Sequence, residues 1–290
     1  MKNIHKDMVV INSNDKDLLK KCNKSIRQTG FCLVTDVIDD KNCTLGIQAL
    51  KHSYQKVINL IGPERLERFA EEGIIRAPMS FEDYFFTLLE NEKIQKMSEL
   101  FVAETSILHL QNGFIFPPHN LKSESESESE SKSVSSNPQY NFHKDFPRYM
   151  NGYVASINVL VTFTDITNTD EIFYVVPNTH HSKNVISQEY CNKNKISITA
   201  KAGSVLVFDS TLLHCGGPNR SAGNWYGVNN QFTRSFIKQQ IDYTRLLGNE
   251  LILQQKSRVQ QMLGYYTRVV TNLDEFYQPT EKRLYRANQG

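Results

Sequence analysis

The 290-residue chain is 39% hydrophobic and 10% aromatic, enough to bury a sizeable core, which excludes disorder throughout. Lysine plus arginine (33) nearly balance aspartate plus glutamate (31), and a net charge of +2 gives no footing for a nucleic acid or an anionic membrane, so a small-molecule partner is expected. Five cysteines without C-x-x-C spacing argue against a disulfide framework or structural zinc, and neither Met1 to Asn14 nor any later segment reaches signal or membrane-spanning length, so a cytoplasmic protein is expected.

The predicted elements begin with a helix over Asp15 to Arg27, where Leu18, Leu19, Cys22 and Ile26 fall at helical spacing. Gly30 stops it, and Phe31-Cys32-Leu33-Val34 reads as a strand. Asp39 or Asp40 can cap a second helix that runs to Gly62-Pro63, and Ser80 with Asp83 opens a third through Leu88 and Leu89. Residues 15–105 are therefore expected to be mainly helical.

After Ser106 the pattern turns to strands. Ile107 to Phe116 is rich in β-branched and aromatic residues. In Val154 to Asp165 the residues Ala155, Ile157, Val159, Val161 and Phe163 make one apolar face, while Ser156, Asn158, Leu160, Thr162 and Thr164 make a mixed one. Such a strand suits a sheet that packs on helices outside and lines a polar pocket inside. Further strands are expected at Ile172 to Val176, Ile196 to Ala200, Ser204 to Asp209 and Trp225 to Ile237. This cadence reads as an α+β protein with a jelly-roll core over 106–240, flanking helices in the N-terminal third, and C-terminal helices and a tail over 241–290. A low-complexity insertion at about 119–139, with its Ser-Glu repeat from Ser123 to Ser133, has too little apolar area to offset its ordering entropy and reads as a mobile surface loop.

The chemistry concentrates in Asn141-Phe142-His143-Lys144-Asp145-Phe146-Pro147-Arg148. In an extended segment His143 and Asp145 point to one side and can reach one ion, whereas Lys144 points away. His214 follows the strand Ser204 to Asp209, with several strands between to carry it across a barrel to the same mouth. Two histidines and a carboxylate can hold Fe(II) on one face and leave the opposite positions open. Taken alone, the His-x-Asp pair is more simply a surface pair, and His214 a turn histidine.

The order of several motifs changes that balance. Gln111-Asn112 ahead of a Pro-Pro, Phe142-His143-Lys144-Asp145-Phe146-Pro147, Val175-Val176-Pro177-Asn178-Thr179-His180, Ala202-Gly203-Ser204-Val205-Leu206-Val207-Phe208-Asp209 leading to His214, Gly227-Val228-Asn229-Asn230 and Phe236-Ile237-Lys238-Gln239-Gln240 occur in sequence. In this the chain resembles the phytanoyl-CoA dioxygenase family, well over Ser106 to Gln240 and more loosely over the opening helix and strand. The resemblance implies a double-stranded β-helix, a jelly-roll variant forming one oxygenase domain over 1–290. It also implies Fe(II) held by the catalytic ligands His143, Asp145 and His214, with 2-oxoglutarate and O2 as co-substrates. Hydroxylation of a C–H bond is the expected outcome, with desaturation or ring closure open to the same residues. Asp145 in the carboxylate position speaks against halogenation.

One departure stands out. The family carries an arginine on the strand after the second histidine that anchors the distal carboxylate of 2-oxoglutarate, a paired and permanently charged match. Here Trp225 occupies that place. Arg234 has the opposite parity on the same strand, while Arg148 and Arg220 sit in turns, and Arg148 is the replacement expected first. Pocket-facing residues of the right parity are Trp225, Gly227, Asn229 and Gln231, and Gln111 and Asn158 are expected hydrogen-bond partners of the co-substrate. His180 and His181 are expected in a turn or behind the ligands, and Cys215 as a small buried residue. Trp225 keeps a second reading open: a metal-binding jelly roll that has lost 2-oxoglutarate use, as a non-catalytic binder or an iron enzyme with another co-substrate.

Overall fold

The computed structural model describes residues 8–119, 140–266, 270 and 273–282. The Ser-Glu repeat and the end of the polar tail lie outside the described residues. Strands β1 (Val10–Asn12), β2 (Phe31–Thr35), β3 (Ile74–Arg76), β4 (Ile107–Phe116), β5 (Ser156–Thr162), β8 (Val205–Asp209) and β10 (Trp225–Thr233) form one sheet in the order β1-β2-β8-β5-β10-β4-β3. A smaller sheet of β6 (Phe173–Val175), β7 (Ile196–Ser197) and β9 (His214–Gly216), ordered β7-β6-β9, faces it. Two facing, mainly antiparallel sheets fed by crossovers make the expected jelly roll.

Helices cover the outer face of the large sheet, which explains its double apolar character. On β5, Ile157, Val159 and Val161 join the core shared with helix α1 (Leu18–Thr29) and helix α2 (Asp40–Ile61), while Leu160 turns into the barrel beside Leu206, Phe208 and Phe31. The two faces read from the sequence are thus both buried, one by helices and one by the opposing sheet. Each fully buried Val, Leu or Ile contributes about 1.5–3 kcal/mol, so this central strand is a principal source of stability.

Local signals account for most helix ends. The Asp39 carboxylate accepts from Asn42 N at 2.8 Å to start α2, and Pro63 after Gly62 opens a short helix α3 (Pro63–Arg68). Two features depart from the expected helical N-terminal third. The expected third helix is α4 (Tyr84–Glu90), which runs through Leu88 and Leu89, but Asn91 then caps a separate, unexpected α5 (Glu92–Val102) by accepting from Lys93 N and Ile94 N. The second departure is β3, three residues that pair with β4 at the sheet edge and are too short to show a period in the sequence. At the other end, β10 stops at Thr233 rather than Ile237, where Ile237 N closes a turn on Arg234 O. Helices over Tyr243–Leu253 and Ser257–Met262 follow, as expected. Among the described residues no helix is long and apolar enough to cross a membrane.

Gly30 is where α1 meets the barrel. It ends the helix at φ +94°, donating to Ile26 O at 2.9 Å, and an added Cβ would lie 2.6 Å from Leu212 Cδ1 and 2.7 Å from His180 Nδ1. Gly30→Ala is therefore expected to cost about 1–3 kcal/mol in chemical denaturation; an unchanged midpoint would show that the Leu212 and His180 side chains yield freely.

Candidate metal centre

His143 is not part of a regular strand, yet its backbone is registered against β9. His143 N donates to His214 O at 3.0 Å and His214 N donates to His143 O at 3.1 Å, a reciprocal antiparallel bridge that adds the His-x-Asp segment to the edge of the small sheet. A third backbone bond, Phe146 N to Ser210 O at 2.9 Å, holds the far end of the segment. The side chains then follow from the period of two. Asp145 Oδ1 lies 3.6 Å from His143 Nε2 and Asp145 Oδ2 lies 3.5 Å from His214 Nε2, while Lys144 turns its Nζ to Thr179 O at 3.4 Å. The structure thus brings His143, Asp145 and His214 together, with one ligand-capable atom of each within 4.8 Å of the others.

Both imidazoles are oriented from behind. His143 Nδ1 meets Asn141 O at 2.8 Å and His214 Nδ1 meets Leu212 O at 2.9 Å, and a carbonyl can only accept, so each Nδ1 carries the proton. In the neutral ring this tautomer leaves Nε2 as the lone-pair atom facing the Asp145 carboxylate. Burial holds His214 down to about 4, against the opposing pull of Asp145, so at neutral pH it is an uncharged donor. Three lone-pair atoms converging without a proton between them repel one another unless a cation sits among them. Separations of this size suit bonds of about 2.0–2.2 Å to one ion. On this donor chemistry the residues fit a divalent transition metal.

A 260 Å³ cavity opens beside the three residues. Phe173, Phe208 and Leu160 give it an apolar floor, and Asn112, Asn229, Gln231 and Gln240 give it a polar wall. The fate of the other expected residues is mixed. Asn229 and Gln231 line the cavity, and Asn158 lies behind them, accepting from Asn229 Nδ2 at 2.9 Å and donating to Ser210 Oγ at 2.8 Å. Gln111 does not face it. Its Nε2 donates to Asn230 Oδ1 at 2.8 Å and Phe85 O at 3.2 Å on the helix side, because its neighbours Leu110 and Asn112 take the inward positions. The register sets this parity: Gln111 is opposite Asn230, between the inward pairs Gln231–Leu110 and Asn229–Asn112, and only beyond Leu110 does the register shift so that His109 has no partner on β10.

Arg148 is likewise misplaced by the sequence reading. It is exposed, with Arg148 N bonded to Phe146 O, and does not line the cavity, because the chain leaves the barrel after its tie to Ser210. Arg220 pairs with Glu171 at 2.6 Å, and Arg234 donates to Val154 O at 3.0 Å and lies over the Tyr153 ring. Trp225 points inward, as its parity requires, but packs on Phe114 and Phe116 with Nε1 donating to Thr162 Oγ1 at 2.9 Å. Its ring also fills the space over Gly227, where an added Cβ would come within 2.5 Å of it. An aromatic plug therefore closes the barrel where a carboxylate anchor was expected. The cation on the cavity wall that the sequence reading missed is Arg76, on β3. His180 and His181 lie with ring centroids 3.7 Å apart and tilted in the turn after β6, outside the metal-capable group, and burial lifts the Cys215 thiol to about 12, which suits packing rather than reactivity.

A jelly roll with a facial two-histidine, one-carboxylate cluster defines the class to which this chain belongs. The phytanoyl-CoA dioxygenase (PhyH) family model matches residues 26–225. Rv1501 of Mycobacterium tuberculosis, which carries the description "uncharacterized protein", is 39% identical over 283 residues, covering 98% of this chain and all of that protein. The chain belongs to the phytanoyl-CoA dioxygenase family. Among solved structures the fold resembles the non-haem monooxygenase ThoJ, with TM-score 0.54 and 15% identity over 76% of this chain and 79% of that one. It also resembles SnoN, an alpha-ketoglutarate-dependent epimerase from nogalamycin biosynthesis, with TM-score 0.53 and 12% identity over 76% and 84% of the two chains.

The plug makes a stability prediction. Trp225→Phe should lose the bond to Thr162 and cost about 1–2 kcal/mol, and Trp225→Ala about 3–5 kcal/mol. Because the chain has one tryptophan, unfolding of these variants is followed by circular dichroism; equal midpoints for all three proteins would show that the plug bears no load.

Proposed function

We propose that this protein is an Fe(II)- and 2-oxoglutarate-dependent oxygenase that hydroxylates a C–H bond of a small metabolite, acting as one oxygenase domain. Family membership and the His-Asp-His cluster support a non-haem iron oxygenase. The observation that carries the reading is the convergence of His143 Nε2, Asp145 and His214 Nε2 with both Nδ1 atoms tied to carbonyls. The alpha-ketoglutarate dependence stated for SnoN, which shares the fold, fits the choice of co-substrate.

Each residue has a distinct task in this reading. His143 and His214 present neutral nitrogens and Asp145 one negative charge, so three ligands on one face leave the other face for small molecules. The iron would supply activation of O2 and of the 2-oxo acid. The balanced reaction is R–H + O2 + 2-oxoglutarate → R–OH + CO2 + succinate. The apolar floor of Leu160, Phe173 and Phe208 excludes water from the reacting centre, and the amides of Asn229 and Gln231 orient what lies above it.

Trp225 favours a second reading, in which the barrel binds metal without using 2-oxoglutarate. Anaerobic titration separates the two. Adding Fe(II) and 2-oxoglutarate should produce a weak visible charge-transfer band; absence of the band, together with no succinate when O2 is admitted, removes the oxygenase reading. His143→Ala and Asp145→Ala should each abolish the band and turnover while the far-ultraviolet circular dichroism stays that of the parent. Turnover that survives either change would break the ligand assignment.

A further inference from the structure

We infer that Arg76, on the edge strand β3, is the residue that binds the distal carboxylate of the 2-oxo acid, so that this co-substrate lies along β3 and β4 instead of reaching toward Trp225. This rests on the oxygenase reading above. Among the described residues two cations line the cavity beside the metal-capable cluster, Arg76 and Lys144. Lys144 turns its Nζ toward Thr179 O at 3.4 Å, a contact that engages one of its three N–H donors. Arg76 has donors left over: Nε and Nη2 hold Glu71, and Nη1 donates to the Asn112 side-chain oxygen at 2.8 Å with that amide in its hydrogen-bonding orientation. Three of five N–H groups are thereby engaged, and among the described residues one on each terminal nitrogen is unspent. Two terminal N–H groups are what a carboxylate takes in a paired contact.

Strand register puts the guanidinium on the correct face. Arg76 is opposite Asn112 on β4, Asn112 opposite Asn229 on β10, and Asn229 opposite Leu160 on β5. All four line the cavity, so they form one row across its wall. Asn229 adds a second, independent sign that this row meets a ligand. It is 8% exposed, yet its Oδ1 has no partner among the described residues. Turning the Asn158 and Asn229 amides together, with the Ser210 hydroxyl then donating to Asn158, keeps that hydrogen-bonded chain intact and leaves Asn229 Nδ2 as the spare group, a donor suited to an anion.

Among the described residues the Trp225 end of the barrel offers no competing cation. Trp225 Nε1 is already bonded to Thr162 Oγ1 and its ring is enclosed by Phe114 and Phe116, so a dianion directed there would bury a charge against aromatic carbon. Glu71 neutralises part of the Arg76 charge but also fixes the plane of the guanidinium, and the Arg76 side chain is 44% exposed, at the mouth, where a ligand can reach it without dismantling the core. Just after it, Ala77 is held at φ 48° with its N–H on Gln111 O at 2.9 Å, which ends the strand and keeps Arg76 from sliding along β4.

The test is anaerobic titration of the Fe(II)-loaded protein with 2-oxoglutarate and with 2-oxopentanoate, which has the same five-carbon chain but a methyl group for the distal carboxylate. The charge-transfer band reports binding without turnover. The parent protein should prefer 2-oxoglutarate. Arg76→Gln should raise the Kd for 2-oxoglutarate roughly 10–100-fold, toward that for 2-oxopentanoate, whose own Kd should shift less than about threefold. Arg76→Lys should restore part of the loss. Retained preference for 2-oxoglutarate in Arg76→Gln would overturn the assignment, as would a parent protein that does not distinguish the two acids. A band with neither acid in the parent protein would instead sink the oxygenase reading, and this inference with it. The 2-oxopentanoate band in Arg76→Gln checks that the variant is folded and loaded. If that band is lost, Glu71→Gln decides: removing the competing carboxylate should tighten 2-oxoglutarate binding by up to about tenfold, and unchanged or weaker binding would overturn the assignment.

Discussion

The reciprocal backbone bridge between His143 and His214 is the contact on which the candidate metal centre depends. Two hydrogen bonds between residues 71 positions apart (214 − 143) fix both the distance and the facing of the two imidazoles, and the period of two then delivers Asp145 without further adjustment. The carbonyls of Asn141 and Leu212 complete the arrangement by choosing the tautomer. A metal cluster built this way needs little from side-chain packing. Its precision comes from backbone register, which a rigid barrel holds more tightly than any loop could.

Around the cluster the barrel is asymmetric. The large sheet is buried on both faces, so β5 and β8 cannot slip by one residue without turning Ile157, Val159, Val205 and Val207 from the helices into the cavity. One end is closed by Trp225, Phe114 and Phe116, the other holds the two histidines, and Asn112, Asn229, Gln231 and Gln240 make the polar wall of the cavity. That distribution limits what the cavity accepts. A charge is tolerable near β3 and β4, whereas the floor of Leu160, Phe173 and Phe208 favours carbon.

Much of this was legible in the sequence, for identifiable reasons. The alternation in Val154 to Asp165 fixed which residues face the helices, and an i, i+2 pair on an extended segment was enough to align His143 with Asp145. Inward parity for Asn229 and Gln231 also held. What was not legible has two causes. Gln111 lies between the inward Leu110 and Asn112 and faces outward by ordinary alternation, but which face that is depends on the register of β4 against β10, which the sequence alone does not state. And β3 is three residues in a segment dominated by helix signals, so Arg76 carried no periodic mark that would place it beside a cavity built from residues 34 or more positions later. Arg148 was attractive for its nearness in sequence to Asp145, but the chain turns outward after Phe146.

Trp225 and Arg76 are then two sides of one constraint. A barrel that fills its closed end with indole removes both the space and the charge for an anion there, and a dianionic co-substrate must be neutralised somewhere along the remaining wall. Among the described residues the cation on the small-sheet side is Lys144, whose Nζ is turned toward Thr179 O. That leaves the edge of the large sheet, where β3 adds a strand beyond β4 and reaches the mouth. Moving the anchor from β10 to an edge strand changes what else it can govern. An arginine on a central strand is locked by neighbours on both sides, whereas Arg76 shares its guanidinium with Glu71 at the surface, so capture of the co-substrate becomes a competition between two carboxylates for one cation. Selectivity for the 2-oxo acid in such a barrel is set by that exchange at the rim and not by the depth of the cavity.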